Sequence, residues 1–109
     1  MDEQTYKIDE GVRRAKAAWL CGRETISAQI DGVGEIIQVP LSALRSPKAI
    51  IEDFGPRGAD WGLVYRGTKR GDTLPPIVIV AGAGGIPISD VEVQADELEL
   101  FRQRYPSDS

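Results

Sequence analysis

The chain has 109 residues, 41% of them hydrophobic, with a net charge of −4, one cysteine and no histidine. Such a length and apolar content can build one core without disulfide or metal staples, and a single thiol excludes an internal disulfide. A zinc site lacks its usual ligands, and every Ser-His or Cys-His nucleophile pair is excluded, so any catalysis would run on carboxylates, Lys, Tyr or Arg.

Met1-Asp2-Glu3-Gln4 contains no basic stretch leading into an apolar run, and no segment approaches the ~18 apolar residues of a membrane span. The expected setting is soluble, reducing and cytoplasmic, with no membrane partner. Residues 45–72 hold six basic side chains against four acids, and residues 89–109 hold six acids against Arg102 and Arg104. That balance argues against general nucleic-acid binding, which draws on an excess of cations over phosphates.

In chain order, Ile8, Val12, Ala15 and Trp19 recur at helical spacing and predict an N-terminal helix with Trp19 as a core anchor. Gly22 suits its left-handed C-terminal cap. Thr25–Ile30 and Glu35–Val39, separated by Asp31-Gly32-Val33-Gly34, predict a hairpin closed by Pro40. Ser46-Pro47 reads as an N-cap and first helical position, giving a short helix through Ile50, Ile51 and Phe54 that ends at Gly55-Pro56. A loop to Asp60 precedes a third strand, Trp61–Arg66. Gly67–Pro76 is expected to be a surface loop leading to a strand over Ile77–Ala81.

Pro75–Ile88 contains a strand that enters Gly82-Ala83-Gly84-Gly85-Ile86-Pro87. A dinucleotide fingerprint needs G-x-G-x-x-G between strand and helix. Here Pro87 stands where the third glycine belongs, and only 24 residues follow Gly85. The alternating Ile86, Ile88, Val91 and Val93 point instead to a hairpin, Ile77–Ala81 against Ile86–Val93, with an exposed glycine tip. Leu98, Phe101 and Tyr105 predict an amphipathic helix over Ala95–Tyr105. Its carboxylates Asp96, Glu97 and Glu99 read as a wet helix face.

Val64-Tyr65-Arg66-Gly67-Thr68, read as a strand, resembles the first motif of ADP-ribosyltransferases. That resemblance implies that Arg66 would hold a dinucleotide phosphate and that Glu97 or Glu99 would be the catalytic glutamate. A phosphate-binding role for Arg66 with Gly82–Gly85 belongs to the same alternative. The basic group Arg66, Lys69 and Arg70, flanked by Trp61 and Tyr65, is the candidate binding site, suited to phosphate, single-stranded nucleic acid or an acidic protein surface.

The expectation is therefore a single α+β domain over residues 1–109, with flexible tails at 1–5 and 106–109. It comprises an N-terminal, a short middle and a C-terminal helix with a mostly antiparallel sheet of about five strands. Functionally the expectation is a small acidic cytoplasmic binding or adaptor protein with an accessory or inhibitory role. It would use no cofactor or metal, its partner would be another protein, and Trp61, Tyr65, Arg66, Lys69 and Arg70 would contribute to the contact.

Overall fold

The computed structural model describes residues 4–53, 58–82 and 84–95. Among these, the order is β1 (Tyr6–Glu10), α1 (Val12–Leu20), β2 (Thr25–Ile30), β3 (Ile37–Pro40), β4 (Leu44–Ser46), β5 (Ile50–Asp53), α2 (Gly58–Arg70), β6 (Ile77–Ala81), β7 (Ile86–Pro87) and β8 (Glu92–Ala95). Single turns of 3-10 helix lie at Leu41–Ala43 and Ile88–Asp90.

Six strands form one mixed sheet in the order β3-β2-β6-β1-β4-β7, and β5 with β8 forms a separate parallel pair. The class is α+β, but the sheet differs from the expected one. The pairs β2–β6 and β1–β4 are parallel, while β1–β6, β2–β3 and β4–β7 are antiparallel. Two α-helices are present among the described residues.

Alternation of apolar side chains sets the inner face. Ile8, Ile26, Ala28, Val39, Ile77 and Ile79 are buried, whereas Thr25, Ser27, Gln29, Val78 and Val80 point the other way and are half-buried or exposed. α1 packs on the inner face through Ala15 and Ala18, and Ala17 meets Trp61 of α2. The alanines let the helix approach both layers closely.

The N-terminal helix is shorter than its periodicity suggested. Ile8 belongs to β1 and is buried opposite Ile79, and the helix starts at Val12. Trp19 is not the core anchor but is 38% exposed. Gly22 caps the helix as expected, with φ +79°, and the Arg23 amide donates to Ala18 O.

Residues 50–53 form a strand, not the expected helix. The Ser46 hydroxyl donates to Lys48 O at 2.6 Å and accepts from Lys48 N–H, forming a tight turn around Pro47. The β-branched Ile50 and Ile51 then pair with β8. Phe54 and the Gly55-Pro56 terminus lie outside the described residues.

Trp61–Arg66 is helical, not a strand, and the helix continues through Arg70, taking in the first residues of the expected loop. Trp61, Val64, Tyr65 and Thr68 carry the i, i+3, i+4, i+7 spacing of a buried helical face. β6 forms as expected, but its neighbours are β2 and β1, and Ile86–Pro87 pairs with β4. The expected hairpin between Ile77–Ala81 and Ile86–Val93 is therefore absent. Ala95 ends β8, and the rest of the expected C-terminal helix, with Glu97 and Glu99, lies outside the described residues.

Candidate functional site

The five side chains of the candidate binding site all lie on α2, in unequal environments. Trp61 is fully buried against Ala17. Tyr65 stacks on it with ring centroids 5.8 Å apart and planes within 7°. The aromatic pair is thus a packing element between the helices, and Arg66 beside it is half-buried. Lys69 and Arg70 are exposed in the last turn, where cations complement the carbonyl end of the helix dipole.

That end of α2 is closed by a Schellman motif: Asp72 N–H donates to Gly67 O, and Gly71 N–H to Thr68 O. Arg23 arrives from the α1–β2 turn and donates to Thr68 O and Asp72 O, both at 3.0 Å. Arg70 Nη2 lies 2.6 Å from Asp72 Oδ2, and this hydrogen bond holds the Asp72 carboxyl below its usual range. Burial pushes the nearby Cys21 thiol up, with Arg23 and Lys69 pulling the other way.

Between this helix end and the outer face of β2–β3 lies a cleft of about 220 Å³, lined by Arg23, Thr25, Ser27, Gln38, Asp72 and Thr73 among others. Gln38 Nε2 donates to Ser27 Oγ at 2.7 Å, and Thr25 Oγ1 donates to Gln38 Oε1 at 3.3 Å. The lining is mostly polar. It brings together no nucleophile with a matching base.

The strand context on which the ADP-ribosyltransferase resemblance rests is missing, since Tyr65-Arg66-Gly67 lies within a helix. Of the glycine loop, Gly84 and Gly85 are exposed and Gly82 is half-buried, its carbonyl accepting from the Thr5 hydroxyl at 2.9 Å. A Cβ on Gly85 would stand 2.9 Å from Ser46 O, so this glycine serves the approach of β7 to β4.

A second surface lies at the tip of the β2–β3 hairpin. Among the described residues, six large apolar side chains stand exposed, and three are here: Val33 at 69%, Ile36 at 56% and Ile30 at 40%. The tip backbone is tied in place. Asp31 N–H donates to Ile79 O at 2.8 Å, Val33 N–H to Ile30 O at 3.2 Å, and Gln29 Nε2 to Gly34 O at 2.8 Å. Asp31 (φ +57°) and Gly32 (φ +74°) hold the left-handed conformations that suit a tight hairpin turn.

The hairpin itself was legible from its turn residues, but its exposed tip was not. Ile30 and Ile36 read as ordinary strand residues, whereas Ile30 is the last residue of β2 and Ile36 stands just before β3, both exposed. Among the described residues no cluster of three or more His, Cys, Asp or Glu could hold a metal, and no helix is long and apolar enough to cross a membrane. No family model matches the chain, and neither the curated proteins nor the solved structures provide a match.

Proposed function

We propose that the chain is a small acidic binding protein, an accessory or inhibitory adaptor of a reducing cytoplasm, whose partner is another protein docked on the tip of the β2–β3 hairpin. The observation that supports this reading is the trio Ile30, Val33 and Ile36, exposed on a tip whose backbone is hydrogen-bonded in place. Single exposed aliphatics are ordinary, but three between residues 30 and 36 concentrate apolar surface at one hairpin tip. Covering them is worth roughly 25 cal/mol per Å² of apolar area removed from water. A tip already ordered loses little conformational entropy when it docks.

The basic end of α2 has an auxiliary part in this reading. Lys69 and Arg70 offer charge to an acidic patch of the same partner, a contribution to association rate and orientation more than to affinity.

Three forms of the tagged chain, expressed in its own cells, test the assignment: wild type, Val33→Asp with Ile36→Asp, and Arg66→Ala with Lys69→Ala and Arg70→Ala. The hairpin variant should lose a protein partner that wild type retains, and the α2 variant should retain it with weaker binding at low salt. A hairpin variant that folds normally and keeps every partner would remove the hairpin from the interface. An α2 variant that binds as wild type does would remove the auxiliary role.

A further inference from the structure

The mode of docking follows from the direction of the β3 backbone. Leu41 N–H donates to Glu24 O across the hairpin at 2.9 Å, and the pairs Ile26–Val39 and Ala28–Ile37 repeat that alternation along the ladder. The amides of Leu41, Val39 and Ile37 therefore face β2. The N–H and C=O of Gln38 and the C=O of Pro40 face away, on the side where β3 has no neighbouring strand among the described residues, and Ile36 continues that side one residue before the strand. Pro40 fits this geometry because its missing N–H lies on the outward side.

The tip end of that edge is acidic, and the cation at its other end, Arg23, lines the cleft with Gln38 while its guanidinium donates to Thr68 O and Asp72 O. From Glu24 to Leu44 the chain carries Glu24, Asp31 and Glu35 and no Lys or Arg, and all three acids are exposed. Asp31 and Glu35 flank Val33. A second copy of this chain supplies a poor complement, since its sheet edges among the described residues are an equally acidic β3, a β7 of two residues that includes Pro87, and the β5–β8 pair, which carries Glu52, Asp53 and Glu92 and no Lys or Arg.

Resting on the hairpin as the docking surface, we infer that the partner contributes an extended segment that adds to β3 as a further strand, with Lys or Arg alternating with branched aliphatic residues. The segment's backbone bonds to Gln38 and to the Pro40 carbonyl. Its aliphatic side chains cover Ile36 and Val33, and its cations meet Asp31 and Glu35.

The test uses a displayed library of random peptides of about twelve residues, panned against the whole chain, followed by binding of the enriched peptide to two variants. Gln38→Ala keeps the outward N–H and removes the side chain, whereas Gln38→Pro removes the N–H without touching the bonds to β2. The expected enrichment is basic residues alternating with Val, Ile or Leu. The peptide should bind Gln38→Ala within about threefold of wild type and Gln38→Pro about tenfold or more weakly, as loss of one backbone bond implies. Exchange of the Gln38 amide in wild type should slow on adding the peptide, a readout that decides the matter even if Gln38→Pro does not fold. Enrichment of acidic or helical peptides, absence of enrichment, or unchanged Gln38 exchange would overturn strand addition. A cellular partner lost by Val33→Asp with Ile36→Asp but kept by Gln38→Pro would overturn strand addition and leave the docking surface standing.

Discussion

At Gly11 the chain leaves β1 with φ +113° and enters α1 at once, the Ala15 amide donating to Gly11 O. A Cβ at this position would stand 2.5 Å from Ile77 Cγ2 and 2.8 Å from Ile77 Cβ, on the central strand. Two penalties then coincide, a left-handed backbone and an overlap with core atoms that cannot swing aside. Gly11→Ala should lower stability by about 2–4 kcal/mol, measured by urea denaturation, and a loss under about 0.5 kcal/mol would show that the junction relaxes freely. Gly11 looks like any turn glycine in the sequence, because its demand comes from Ile77, far along the chain. The cap at Gly22 was readable, since its requirement is set by the helix that it ends.

Lys16 shows how elements are tied together. It sits on α1, is buried, and donates from Nζ to Ile88 O at 3.1 Å and Ser89 O at 3.2 Å, clasping the turn after β7 onto the helix. Burial pushes the ammonium below its ordinary value of 10.5, with Asp90 opposing. The unfolded chain therefore holds this proton more tightly than the fold does. The residue's contribution to stability is then smallest while it is charged in both states, and it rises as pH climbs through the lowered folded value toward the unfolded one. Urea denaturation of wild type and Lys16→Met from about pH 7 to about pH 10.5 should show the wild-type advantage widening with pH. A constant difference would mean that the ammonium titrates alike in both states.

The misread elements have local causes too. Trp61–Arg66 carries β-prone side chains and a glycine, yet Trp61, Val64, Tyr65 and Thr68 follow the helical period, and tertiary packing of that face overrides weak helix propensity. Ser46-Pro47 has the letters of a helix start, but its hydroxyl closes a turn onto Lys48 and the isoleucines beyond it find a partner strand.

For the whole molecule, the strand order was the part that sequence could not supply. Ile77–Ala81 reads as a buried strand from its composition, and it is one. That it accepts β2 in parallel and β1 in antiparallel fashion depends on contacts between residues about 50 to 75 positions apart. This order places β3 at the rim, beside the hairpin tip where three aliphatic side chains meet water. The basic letters of α2 drew attention in the sequence, whereas in the fold two of their neighbours, Trp61 and Tyr65, hold the helices together.

Photo-crosslinking in the source cells tests the docking surface most directly. A photoreactive amino acid placed at Val33 on the hairpin tip is compared with one at Lys48, an exposed residue on the β4–β5 turn. Docking on the hairpin tip predicts one adduct of defined mass at Val33, identified as a single protein, and none of that mass at Lys48. A Val33 probe that yields no protein adduct, or the same adduct from both positions, would contradict it.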